Sequence, residues 1–255
     1  MAADVVQRGH HALRLLVLGD SLSFFGPSGP LPADHPRLWH NICAERLGGS
    51  AELAAGFGWT ARDAWWALTG DPRIWSLLPR TDVLVFAVGS MDTLPSPLPT
   101  YLREGLRYVR PDWLRRWVRA RYQSAQPRLA PYTRASLPPA LTARYLRDML
   151  QSVRNLQYTM PAVGIVPSVH RAATYAYAHQ GHAAAVAHVR GWAAGAGVPL
   201  LDLPAVIGEH VRSGGGNPDG MHWGWEGHEL VGAAMAELIS APGVISSVAL
   251  SPSEE

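Results

Sequence analysis

Leu13-Arg14-Leu15-Leu16-Val17-Leu18-Gly19-Asp20-Ser21-Leu22 decides how the rest of this chain is read. From Leu13 to Leu18 the run is almost unbroken in apolar residues, which predicts a strand buried on both faces of a parallel sheet. Gly19, Asp20 and Ser21 are small or turn-forming, so the chain leaves the sheet abruptly there and presents a hydroxyl at the C-terminal end of the strand. In open α/β sheets that edge is where ligands bind. A serine hydroxyl is a poor nucleophile at neutral pH and needs a base to take its proton. Roughly 200 residues later, Asp219-Gly220-Met221-His222 supplies an imidazole on a tight loop. Asp219, three residues before His222, can reach the second ring nitrogen, fix the tautomer and stabilise the imidazolium. Ser21, His222 and Asp219 are therefore the candidate nucleophile, base and orienting carboxylate.

Outward from this stretch, apolar strand-like runs alternate with helical patterns, the rhythm of βαβ units. Strands are expected at Leu13 to Leu18, Ala51 to Ala55, Val83 to Val88, Ala162 to Pro167 and Val198 to Leu203. Helices are expected at Pro36 to Leu47, Thr60 to Leu68, Leu141 to Gln157, Ala183 to Ala194 and Trp225 to Ile239. The fold class is α/β, one domain over residues 1–255, with an interruption at about 93–139 that is proline-rich at both ends. Between those ends, Leu102 to Tyr122 has helical spacing and carries Arg103, Arg107, Arg110, Arg115, Arg116, Arg119 and Arg121. Such a segment reads either as a solvated basic surface or as an entrance whose planar guanidinium forks meet phosphates or a carboxylate.

Composition narrows the chemistry. All 22 basic residues are arginine and the net charge is +2. Without lysine there is neither a Walker-type phosphate loop nor Schiff-base chemistry. The near balance of charge and the lack of a recognised module argue against nucleic-acid binding. Cys43, alone, forms no internal disulfide and reads as a small buried side chain, compatible with a reducing cytoplasm. No apolar run approaches the ~20 residues that cross a bilayer, so a soluble, cytoplasmic protein is expected.

On these residues the chain resembles the SGNH or GDSL hydrolases. Gly19-Asp20-Ser21-Leu22 matches their first block and Asp219-Gly220-Met221-His222, with Gly227-His228 following, matches the last. Gly58, in Gly56-Phe57-Gly58-Trp59-Thr60, best matches the glycine whose N–H points into the oxyanion hole. The third block, Gly-x-Asn-Asp in the family, reads Gly89-Ser90-Met91-Asp92 here. The resemblance implies a flavodoxin-like three-layer α/β/α sandwich with a five-stranded parallel sheet. With the asparagine missing, it leaves the Ser21 and Gly58 N–H groups as oxyanion donors. Longer stretches are similar to the mycobacterial diglucosylglycerate octanoyltransferases, among them Gly58 to Trp66, Arg107 to Pro111 and Gly216 to Gly220. That group implies octanoyl-CoA as donor substrate, a glucose hydroxyl of a diglucosylglycerate-type sugar as acceptor, and no bound cofactor. An SGNH esterase or thioesterase, or a non-catalytic glycan- or acyl-binding module, are the alternatives. Nothing in the sequence indicates the oligomeric state.

Other features have plainer readings. Asp92 is expected either to hold a substrate hydroxyl or to cap a turn, and Trp223 and Trp225 to line an acyl or sugar pocket. Ser213-Gly214-Gly215-Gly216-Asn217 reads as slack for placing Asp219 and His222. His179 and His182 stand close together with no carboxylate or thiol nearby to complete a metal site.

Overall fold

The computed structural model describes residues 12–98, 102, 105–157 and 159–244. Arg103, His10 and His11 lie outside them, as does the side chain of Arg107. Strand β1 (Arg14–Gly19) is followed by a small antiparallel hairpin, β2 (Phe25–Gly26) and β3 (Gly29–Pro30). The remaining strands are β4 (Ser50–Ala55), β5 (Val83–Ala87), β6 (Ala162–Ile165) and β7 (Leu200–Leu201). With β1 they form one sheet in the order β4-β1-β5-β6-β7, every pairing parallel. This is the five-stranded order of a flavodoxin-like fold.

Period-two alternation sends successive side chains to opposite faces, so an apolar run buries both. Leu16 and Leu18 of β1, with Leu84 and Phe86 of β5, face α2 (Ala61–Gly70), α5 (Pro139–Leu156) and α6 (His182–Ala196). Leu15 and Val17, with Val83 and Val85, face α1 (Trp39–Arg46), α7 (Leu203–Ser213) and α8 (Trp225–Ser240). The result is the three-layer sandwich. Register then levels the strand ends: Gly19 of β1 sits opposite Ala55 of β4 and Ala87 of β5. The turns that follow these three strands, carrying Ser21, Gly58 and Met91, therefore emerge along one edge.

Two helices arise where the sequence pattern predicted none. The short α3 (Pro72–Leu77) starts where Asp71 accepts from the Arg73 N–H and Pro72 fills the first turn, a favourable start. Helix α7 starts the same way, with Asp202 capping and Pro204 in the first turn. That cap ends β7 at Leu201 and converts Leu203, expected in a strand, into a helix residue. Helix α4 (Asp112–Leu129) lies later than the expected Leu102 to Tyr122, because Arg110 precedes Pro111 and a residue before proline is pushed out of the helical region. The excursion holding α4 leaves and rejoins the body at one place. Ser96 N–H donates to the Arg134 carbonyl (3.0 Å) and Ser136 N–H to that of Leu94 (2.8 Å). Among the described residues no helix is long and apolar enough to cross a membrane.

Phe86 is 1% exposed and meets Trp192 edge-on at 5.7 Å. Phe86→Ala should cost about 3–5 kcal/mol in a urea titration, since it removes a ring from a site that cannot collapse.

Candidate active site

Ser21 opens a single 3-10 turn, Ser21–Ser23, capped by Asp20, whose Oδ1 accepts from the Leu22 N–H at 2.9 Å. The first N–H groups of a helical turn have no partner inside it, so the Ser21 N–H stands at the sheet edge beside its own hydroxyl. Gly58, in the turn after β4, has φ +68°, a backbone state that only glycine adopts readily.

The opposite side of the site is the loop before α8. Gly220 has φ +71°, and a Cβ there would collide with the Arg171 carbonyl. Arg171 N–H in turn donates to the Gly220 carbonyl at 2.7 Å, which holds the loop against the segment after β6. Asp219 Oδ1 accepts from the N–H groups of Met221 (2.8 Å) and His222 (3.1 Å). Its Oδ2 accepts from His222 Nδ1–H at 2.6 Å, and His222 Nε2 then accepts the Ser21 hydroxyl at 2.9 Å. Burial pushes the Asp219 carboxyl up, but the hydrogen bonds from the His222 ring and from the Met221 and His222 N–H groups outweigh it and hold it below its ordinary value of 3.8. The carboxylate therefore stays charged next to the imidazole that would become positive.

Several groups missed in the sequence hold this geometry. Phe25, on the hairpin, stacks on the His222 ring at 4.0 Å with 24° between the planes. His228 fixes it, donating from Nε2 to the Phe25 carbonyl (3.1 Å) while Nδ1 accepts from the Trp39 N–H (3.3 Å). Burial lowers the His228 pKa to about 4, so this ring is neutral and structural. Phe57 lies 5.9 Å from Phe25 and 6.3 Å from His222 and is 72% exposed, an apolar lip beside the base. Gly227-His228 was visible as a family motif, but its hold on the hairpin is a contact across 203 residues. Asn217 likewise corrects the reading of residues 213–217 as slack. Its side chain donates to the carbonyls of Gly26 and Pro27 and accepts from the Asp219 N–H, and its backbone N–H donates to the His222 carbonyl.

The structure places two other expected site residues inside the protein. Asp92 is fully buried and both its oxygens accept from the Ala61 N–H, at 3.0 and 3.3 Å. It caps the start of α2, where a carboxylate is favoured by the helix dipole, and is not open to a sugar hydroxyl. Trp223 is 2% exposed, packed beneath α8 and edge-on to His228 at 5.7 Å, so it lines core rather than a substrate pocket. Trp225 lines a surface cleft of about 680 Å³ with Arg37 over its ring at 4.1 Å and His35 stacked at 5.2 Å. Met91 is buried at the position where the family carries asparagine, and its thioether has no N–H to donate.

Sheet order and the serine, glycine and Asp-x-x-His turns along one edge define the SGNH/GDSL hydrolase class of fold. Solved structures agree. The lipase/acylhydrolase from Enterococcus faecalis matches with a TM-score of 0.58 at 15% identity, covering 95% of this chain and 100% of that one. The aryl esterase of M. smegmatis matches at 0.54 and 17% identity, covering 89% and 98%. No family model matches the chain. Curated relatives are much closer in sequence: diglucosylglycerate octanoyltransferases of Mycobacterium tuberculosis and Mycolicibacterium hassiacum are each 50% identical over 230 residues. The alignments cover 90% of this chain and 93% and 96% of those proteins. The chain belongs to the diglucosylglycerate octanoyltransferase family.

Asp20 yields a pH prediction. Burial, added to by the nearby Asp92 charge and only partly offset by the Leu22 N–H, raises its carboxyl from 3.8 to about 7. The folded state keeps a proton between those values that the unfolded chain has released, so this group's contribution to stability falls as pH rises through that window. Asp20→Asn, which stays neutral, should match wild-type stability near pH 4 and exceed it increasingly up to pH 7, as read by thermal melts.

Proposed function

We propose that the chain transfers an octanoyl group from octanoyl-CoA to a glucose hydroxyl of diglucosylglycerate through an acyl-serine intermediate. The observation that carries this reading is the continuous Asp219–His222–Ser21 hydrogen-bond chain, at 2.6 and 2.9 Å, in a chain half identical to proteins named diglucosylglycerate octanoyltransferase.

His222 Nε2 takes the hydroxyl proton as Ser21 Oγ attacks the thioester carbonyl, and Asp219 stabilises the imidazolium. The Ser21 and Gly58 N–H groups receive the oxyanion. The tetrahedral intermediate collapses with loss of the thiolate, which takes the proton from His222, and leaves octanoyl-Ser21. A sugar hydroxyl then gives its proton to His222, attacks the ester carbonyl and releases Ser21. Losing one oxyanion donor typically costs ~10²–10³ in rate. A thioester, with its better leaving group, tolerates Met91 in place of asparagine more readily than an alkyl ester does. No metal or resident cofactor enters these steps. Arginines of α4 and its approach, Arg110, Arg116, Arg119 and Arg121, are exposed on one excursion and suit the phosphates of a CoA donor.

Water in place of the sugar would make the protein a thioesterase. Incubation with octanoyl-CoA, with and without diglucosylglycerate, separates the two. Transfer predicts acylated sugar and faster CoA release when sugar is present; free octanoate at an unchanged rate, with no acylated sugar, overturns it. Ser21→Ala should lower CoA release by roughly 10⁴-fold or more and abolish labelling by a fluorophosphonate. A variant that retains both would leave only the binding-module reading or a different nucleophile.

A further inference from the structure

A second feature of the sheet edge is not explained by the acyl-transfer steps. A narrow slot runs between the turn after β1, the turn after β5 and the loop carrying the base. Its apolar lining is Leu22, Met91, Leu94, Val169 and Met221. Leu22 directly follows the nucleophile and Met221 directly precedes the base, so two residues of the lining are chain neighbours of the groups that react with the acyl carbonyl.

The polar residues along the same slot, Ser90, Ser168 and His170, have their hydrogen bonds turned into the protein. Ser90 Oγ accepts from the Ser168 N–H (2.9 Å) and Ser168 Oγ–H donates to the Val169 carbonyl (2.9 Å). His170 Nδ1 accepts from the Ala172 N–H and Nε2–H donates to the Ala178 carbonyl, both at 3.2 Å. Burial lowers the His170 pKa to about 4, so the ring is uncharged. A ligand rich in hydroxyls would lose water here and find its partners already engaged, at a cost for each unpaired group. A hydrocarbon chain meets no such cost.

The free space is small, about 10 Å³, room for about one water. A chain enters only as side chains withdraw. The two that face the slot from separate turns are methionines, unbranched and with three rotatable bonds, the side chains that repack most readily. The wall at Leu94 is firmer. The Leu94 carbonyl accepts from both the N–H and the Oγ–H of Ser136, each at 2.8 Å, so the root of the excursion holds this part of the lining in place.

We propose that this slot is the acyl-chain subsite, and that Met91 and Met221 set the length of saturated chain it accepts while Leu94 limits its depth. On this reading Met91 exchanges an oxyanion donor for a wall of the acyl site. The inference rests on the proposed acyl transfer, but one of its tests does not need turnover.

Rates with butanoyl-, octanoyl-, dodecanoyl- and hexadecanoyl-CoA would be compared for wild type, Met91→Ala, Met221→Ala and Leu94→Phe. Shortening either methionine should raise the dodecanoyl-to-octanoyl ratio of kcat/KM by about 10-fold, in the range that a few methylenes in an apolar pocket command. Leu94→Phe should shift preference to butanoyl. Chain-length profiles parallel to wild type in all three variants overturn the proposal, whatever their absolute rates. Octanoate binding by calorimetry stands apart from catalysis: wild type should bind, and Leu94→Phe should bind at least about 10-fold more weakly. Equal affinities, or no binding by wild type, would overturn the subsite even if transfer is observed. Octanoate binding without any CoA release would overturn the transfer reading and leave the slot. Thermal melts exclude unfolding as the cause of a lost signal.

Discussion

The hydrogen bond from Ser21 to His222 joins residues 201 apart in sequence, and the architecture around the site serves to hold its two ends within 2.9 Å. One end is fixed by β1, an interior strand on which β4 and β5 pair from either side. A strand buried on both faces and paired on both edges has nowhere to shift without exposing apolar surface, so the turn at Gly19 to Ser21 inherits its rigidity. The other end belongs to a loop with little regular structure. It is held by Asn217 on the hairpin, by Arg171 on Gly220 and by α8 behind it. The two ends meet because the base loop is bonded to the hairpin that follows the nucleophile's turn in the chain.

The same end of the sheet carries several buried polar groups. Asp20, Asp92, His40, His210 and His228 are all buried, where an ionised or unpaired group is costly. Most are tied to backbone: Asp92 to Ala61, His228 to Trp39 and Phe25, His210 to Gly224 and His40 to Ala33. They cap the helix starts and loop segments that a site at the end of a sheet leaves without regular partners. Asp20 is tied too, through Oδ1 to the Leu22 N–H. Its Oδ2 has no hydrogen-bond partner among the described residues, and burial raises this carboxyl well above its ordinary value one residue from the nucleophile.

Fold and relatives divide the functional question. Neighbours at 15–17% identity share the sandwich and speak for the architecture alone, which hosts many chemistries. Relatives at 50% identity define the family. Between those levels lies Met91. In an oxyanion site it contributes no donor, but in the slot beside Met221 it contributes adaptable apolar volume, and one residue cannot do both. The excursion at about 93–139 joins the same balance, since its root holds Leu94 while its exposed arginines stand away from the core.

The chain by itself determined the parallel sheet, because runs such as Leu15 to Leu18 and Val83 to Ala87 leave no polar face for any other arrangement. It also marked Ser21, Asp219 and His222, since short-range turn chemistry is written in neighbouring residues. What it left ambiguous were residues whose role depends on what lies across the fold. Asp92 and Trp223 look like site residues from their neighbours in sequence, yet one caps a helix from across a gap of 31 residues and the other fills the core. Phe25, His228 and Asn217 look ordinary in sequence and hold the base in place. Burial, stacking and long-range capping are properties of the assembled surfaces, and only packing two faces of one sheet brings those surfaces together.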